Sequence, residues 1–260
     1  MICGWLAPPS LPEKHAQALT AALALLAGRD DLVAVLLCGS VVRGEAGPTS
    51  DLDLYCVVDR PVRQRRHLVV HGVLVEMFLN PVGQIRRYLR EERHQNQPST
   101  AHMLTTGHVL LDRRPGILAA LRSEAAGMLA VGPEPLDGVA RALRTYRLRD
   151  LYEDVVDAVA VRAADAGPVM AQCLVSALEL HYALRCRWQP KLKRIAAHLR
   201  TWDTLGAAAL AGCAADPGLP TLRVLVEHVL ATDGGLPIRT WDVPEEVVEG
   251  ATGPGGPGDG

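Results

Sequence analysis

Asp51 and Asp53 stand in the segment Ser50-Asp51-Leu52-Asp53-Leu54, where polar and apolar residues alternate. In an extended chain residues i and i+2 share a face, which sets the two carboxylates side by side. Like charges that close raise each other's pKa unless a cation lies between them. Carboxylate oxygens, completed by water and phosphate oxygens, are the donors Mg²⁺ prefers. Two such ions about 4 Å apart can activate an attacking oxygen and neutralise a leaving pyrophosphate. Ten residues separate Asp51 from the upstream Cys38-Gly39-Ser40, which closes an apolar run. Gly39 has no side chain to keep a phosphate from the backbone. Ser40 is expected to cap a following helix, whose free N–H groups and dipole attract phosphate. Ser50 offers one more hydroxyl, and Arg43, one turn into that helix, can meet a phosphate or an acidic side chain. A third carboxylate is expected on a neighbouring strand. Glu76 in Val73–Leu79 (VLVEMFL) fits, because an ionised Glu in an apolar strand is costly unless paired or metal-bound.

These residues need strands to aim them, and the first third of the chain supplies strand signals. Leu32–Cys38 (LVAVLLC) is a continuous branched-apolar run suited to a strand buried on both faces. Asp51–Val58 reads as a second strand emerging from a polar edge. Arg66–Val70 and Val73–Leu79 flank the turn-forming pair His71-Gly72 and read as a hairpin. Helical spacing marks Glu13–Ala27, stopped by Gly28, and Pro81 opens a helix over 83–92. Beyond about Arg113 strand-like runs vanish, and Ala, Leu and Arg recur at helical period. Helices are expected over 116–130, 136–165, 168–187, 190–202, 204–214 and 219–231, punctuated by prolines. The expected architecture is an α/β domain over 1–112 with a short mixed sheet and flanking helices. An all-α helical bundle over 113–243 and a disordered Gly/Pro-rich tail over 244–260 complete it.

Composition narrows the partners. Twenty-seven Lys+Arg against 29 Asp+Glu leave a net charge of −2, which argues against bulk electrostatic binding of nucleic acid. No run approaches the roughly 20 apolar residues of a membrane helix. The start, MICGWLAPPSLPEKH, lacks a signal-peptide layout, and the six cysteines show no CxxC pair, which together read as a reducing cytoplasm.

The Gly39-Ser40 pair, the ten-residue spacer, Asp51-Leu52-Asp53-Leu54 and the later Glu76 together resemble the pattern of the polymerase-beta-like nucleotidyltransferase superfamily. Within it the chain looks most like the small bacterial antibiotic nucleotidyltransferases, acting on aminoglycosides or lincosamides, which place a helical domain after the catalytic one. The resemblance implies transfer of a nucleoside monophosphate, from ATP for preference, to a hydroxyl of a small molecule. It implies two Mg²⁺ held by Asp51, Asp53 and Glu76, with Gly39, Ser40, Arg43 and Ser50 at the nucleotide. Trp188-Gln189-Pro190-Lys191-Leu192-Lys193 is similar to a Pro-Lys stretch of that family whose lysine meets the triphosphate. Only three of the 27 basic residues are lysine and two lie here, which singles out Lys191.

Asp150, Glu153, Asp154 and Asp157 fall within about 100° of one helix face and have no basic i+4 partner among them. An acidic wall of this kind is either a solvated stripe or a surface for a cationic acceptor. The family uses a carboxylate near the acceptor hydroxyl as general base, and Glu76 and Glu153 both qualify. Two other classes remain: a protein-modifying enzyme of the antitoxin type, and a tRNA or nucleic-acid nucleotidyltransferase, which the charge balance disfavours. The expected partners are a nucleoside triphosphate and a small-molecule acceptor, without membrane, the chain being a monomer or homodimer.

Overall fold

Leu32–Cys38 forms β1 and is buried along its whole length. A strand without a polar face must be covered on both sides, and β1 lies inside a five-stranded sheet, between β2 (Leu52–Val58) and β5 (His108–Asp112). The computed structural model describes residues 4–47 and 49–236. The remaining strands are β3 (Gln64–Val70) and β4 (Val73–Pro81), and the order across the sheet is β3-β4-β2-β1-β5. β2 and β4 run parallel, whereas β1–β2, β1–β5 and β3–β4 are antiparallel, so the sheet is mixed. The β3–β4 hairpin turns on His71 and Gly72, both at positive φ, the conformation of a two-residue hairpin loop.

One sheet face packs against α1 (Glu13–Ala27): Leu37, Leu54, Cys56, Val75 and Met77 meet Leu19, Leu23 and Leu26. The opposite face carries Leu36, Tyr55 and Val57. It is covered by α2 (Val82–Gln95), α3 (Ser99–Thr106) and α4 (Pro115–Val131) through Ile85, Leu89, Leu104, Leu118 and Leu121. That second face also holds Asp53 and Glu76, because each sits two residues before a member of it, Tyr55 and Phe78.

The chain divides into two compact units, the first Met1–Glu134 with Cys186–Gln189, the second Pro135–Arg185 with Pro190–Gly260. α4, expected with the helical part, belongs to the sheet unit because Leu118, Leu121 and Ala125 complete its core. The second unit holds α5 (Gly138–Ala160), α6 (Ala166–Leu184), α7 (Ile195–Leu199), α8 (Thr204–Ala215) and α9 (Leu219–Leu230). Its core is Leu148, Tyr152 and Val155 of α5, Ala177 and Leu178 of α6, and Leu225, Val226 and Val229 of α9.

Four local expectations change. No helix follows Ser40: residues 40–44 make a single turn, with Glu45 N–H donating to Ser40 O at 2.9 Å. α3 and β5 carry no strong periodicity in the sequence. α3 instead starts on the buried carboxylate of Glu92, which accepts from the Thr100 and Ala101 N–H groups. The segment 190–202 is not one helix, since Lys191 is extended and a 3₁₀ turn over Leu192–Arg194 leads into the five-residue α7. α5 ends at Ala160, short of 165, and Arg162 follows at positive φ. The tail expected over 244–260 lies outside the described residues.

Candidate active site

β2 and β4 are parallel neighbours in the register Asp53 to Glu76. Paired residues in a ladder project to the same face, so this register alone brings together two carboxylates 23 positions apart. Asp51, just ahead of β2, adds the third, and a carboxylate oxygen from each lies within 4.8 Å of the others. Three hard oxygen donors on one sheet face match the chemistry of a divalent cation such as Mg²⁺ or Mn²⁺.

Gly39 closes the site from β1. Its φ is +87°, and a Cβ built there would lie 2.4 Å from Asp53 Oδ2. The residue is therefore glycine for two reasons at once, a left-handed backbone and the space that Asp53 occupies. Ser40 and Ser50 stand beside it with their hydroxyls 3.1 Å apart, and the Gly47 N–H donates to Ser50 Oγ at 2.8 Å. His15, a buried residue of α1, places Nε2 3.1 Å from the Ser50 carbonyl. The loop between β1 and β2 is thus tied at its far end to α1, which fixes the entry of Asp51. Nothing in the sequence marked His15, since a lone histidine in an amphipathic helix reads as core.

Without a following helix, Ser40 has no helix dipole behind it. The side-chain polar groups at this point are the Ser40 and Ser50 hydroxyls. Arg43 pairs with Glu45, Nε to Oε2 at 2.9 Å, the second of the two roles its position allowed.

Glu76 is 9% exposed, and its burial among Val75 and Met77 is compensated from the neighbouring strand. Arg65 donates to Oε1, and His67 Nε2 contacts the same oxygen. The β3–β4 register, His67 to Glu76 and Arg65 to Phe78, places both there, and the Arg65 guanidinium also lies 4.7 Å from the Phe78 ring centroid. Both contacts fall on Oε1, so Oε2 retains its lone pairs for a cation or a proton. Arg65 and His67 escaped sequence reasoning because the run Arg60, Arg63, Arg65, Arg66 reads as a solvated loop. Only their alternation, 65 and 67 in one strand, could have shown them.

Burial first, and the Asp53 charge second, push the Cys38 thiol well above its ordinary range, so Cys38 is an apolar packing residue here and no nucleophile. A cavity of about 720 Å³ opens on the same sheet face, floored by Tyr55, Phe78 and Asn80 and walled by Tyr88, Glu91 and Thr100. It begins one i+2 step beyond Asp53 and Glu76.

The remaining sequence-selected residues lie in the second unit. Lys191 is exposed at the N-terminal side of the 3₁₀ turn. Asp150, Glu153, Asp154 and Asp157 are all exposed along α5, opposite its buried Leu148, Tyr152 and Val155.

Residues 25–99 match the nucleotidyltransferase domain family. That span contains β1 to β4 and each of Gly39, Ser40, Asp51, Asp53 and Glu76. No curated protein matches the sequence. Among solved structures, a nucleotidyltransferase-like protein from Exiguobacterium sibiricum is 14% identical, with 84% of this chain and 75% of that chain covered at a TM-score of 0.46. The chain carries a nucleotidyltransferase domain and is a transferase.

Proposed function

We propose that the chain transfers a nucleoside monophosphate from a nucleoside triphosphate, ATP for preference, to a hydroxyl of a small molecule. The observation that carries this reading is the convergence of Asp51, Asp53 and Glu76 beneath Gly39-Ser40. The three carboxylates would hold two Mg²⁺. Bound there, the ions would supply the positive charge that activates the acceptor oxygen and stabilises departing pyrophosphate.

The chain's own groups then have distinct tasks. Gly39 and the Ser40 and Ser50 hydroxyls receive the triphosphate, with Lys191 and Arg43 as further phosphate partners once Arg43 leaves Glu45. Glu76 or Glu153 takes the proton of the acceptor hydroxyl. Arg65 and His67 hold Glu76 in place through their contacts to Oε1. The cavity of about 720 Å³ beside Glu76 is of the size that holds a drug-sized molecule. The exposed acidic face of α5, from Asp150 to Asp157, favours a cationic acceptor, such as an aminoglycoside, over an anionic one. Antibiotic modification in the cytoplasm is the reading this supports. No helix among the described residues is long and apolar enough to cross a membrane.

The test is pyrophosphate release from ATP and Mg²⁺ with a panel of aminoglycosides, lincosamides, other polyols, proteins and tRNA. Release with a small hydroxyl acceptor is expected. Release with protein or tRNA alone would move the chain to one of those classes.

A further inference from the structure

The second unit contains a cluster that nucleotidyl transfer does not use. His181 of α6, Asp203 at the N-cap of α8 and His228 of α9 each offer one donor atom, and the three atoms lie within 4.8 Å of one another. Asp203 divides its oxygens. Oδ1 accepts the Gly206 N–H at 2.9 Å and caps α8, while Oδ2 faces both rings, 2.6 Å from His181 Nε2 and 2.8 Å from His228 Nε2.

A purely structural triad would satisfy both rings by hydrogen bonds, and only one is satisfied. His228 Nε2 meets hydrogen-bond geometry with Asp203. His181 is 1% exposed; its Nε2 lies 2.6 Å from Oδ2 but outside hydrogen-bond geometry, and its Nδ1 has no hydrogen-bond partner. A fully buried imidazole left in that state loses the hydration of two polar atoms. A Cβ at residue 206 would lie 2.4 Å from Asp203 Oδ2 and 3.2 Å from His228 Nε2, so only glycine there leaves the Asp203 carboxylate its place against His228. The Trp202 ring stacks on His181, centroids 5.3 Å apart, and holds the imidazole plane.

We propose that His181, Asp203 and His228 form a binding site for a first-row transition ion of the Zn²⁺ class. Two imidazole nitrogens and one carboxylate oxygen are a borderline donor set that suits Zn²⁺ rather than Mg²⁺. Ligand distances of about 2.0–2.2 Å require the two nitrogen–oxygen separations to widen by about 0.6 Å. Rotation of the Asp203 carboxyl, whose Oδ1 keeps the cap, supplies this. The ion would join α6, the turn before α8, and α9 at one point, and so stabilise the helical unit. The inference stands on the second unit alone and is independent of the transfer reaction.

The experiment titrates the metal-free full chain with Zn²⁺ against a chromophoric chelator, with Co²⁺ absorption and thermal unfolding in parallel. The wild type, an Asp51→Asn/Asp53→Asn double variant and His228→Ala are compared. One tightly held ion is expected in the first two chains, with intense visible Co²⁺ bands and a Zn²⁺-dependent rise in the unfolding midpoint. His228→Ala is expected to lose all three signatures. If His228→Ala does not fold, Asp203→Asn, which keeps side-chain volume and a capping oxygen, should bind Zn²⁺ at least about tenfold more weakly. Absence of a stoichiometric ion in the double variant, or undiminished binding by a folded His228→Ala or Asp203→Asn chain, overturns the proposal.

Discussion

Gly39 and Asp53 constrain each other at the site. An added methyl at residue 39 meets a carboxylate oxygen at 2.4 Å and must be carried at φ +87°. Gly39→Ala should therefore cost roughly 1–2 kcal/mol of backbone strain and also displace Asp53. Mg²⁺-dependent pyrophosphate release should fall by about a hundredfold while the fold survives, checked by kinetics alongside circular dichroism. Asp51→Asn and Asp53→Asn keep the volume and remove charge. Each should lower release by about a thousandfold or more at any Mg²⁺ concentration, because electrostatic stabilisation of the leaving group is the main task of such a site. Glu76→Gln and Glu153→Gln separate the two candidates for general base. The variant of the true base should flatten the acidic limb of the kcat pH profile, and the other should leave that limb in place.

At the scale of elements, short helices depend on groups far along the chain. α3 has eight residues and no side-chain cap of its own at Pro98. Glu92 of α2 accepts its first N–H groups, and burial raises the pKa of that carboxyl even as those donors oppose the shift. Glu92→Ala strands buried donors and should cost about 1–3 kcal/mol in denaturant unfolding, whereas Glu92→Gln, which keeps an acceptor, should cost less. The burial of His181 sets a pH dependence for the metal-free helical unit. Burial first, then the nearby Arg185 charge, lowers the His181 pKa to about 4. A base whose folded pKa lies below its unfolded value of about 6.5 stabilises the fold fully above that value. Its contribution is lost as pH falls from 6.5 toward 4. For Asp203, burial alone would raise the pKa, but the Gly206 N–H and the two histidines outweigh it and bring it to about 2. That second contribution is present above the unfolded carboxylate value and disappears only as pH falls through 2. The unfolding midpoint should thus decline from about pH 6.5 downward, and His181→Phe should remove that early decline.

For the whole molecule, charge decides among partners. A net charge of −2 over 260 residues supplies no overall excess of positive charge, so tRNA should show no retention at about 0.15 M salt. Retention measured by mobility shift would contradict the small-molecule reading. The chain also keeps separate cores in its two units, one aliphatic about the sheet and one among α5, α6 and α9. Each unit therefore has its own source of stability.

Chemistry at this site was legible where it depends on neighbours in sequence. Gly39-Ser40, Asp51 and Asp53 are arranged by chain spacing and the two-residue period of a strand, which residue order alone determines. The sheet strands about them were legible too, because β1 is a continuous apolar run with no alternative but burial and β4 is apolar on both sides of Glu76. Registers between strands were not. Only the β2–β4 pairing places Glu76 beside Asp53, and only the β3–β4 pairing supplies Arg65 and His67 to it. α3 was hidden because its cap comes from Glu92 in another helix, and the turn after Ser40 because local capping signals do not reveal whether a helix continues. The His181–Asp203–His228 cluster draws on three elements of the helical unit, and the packing of those helices alone made it. Residue order determines what is covalently near, whereas these groups meet through burial and hydrogen bonding between distant segments, which act only in the folded chain.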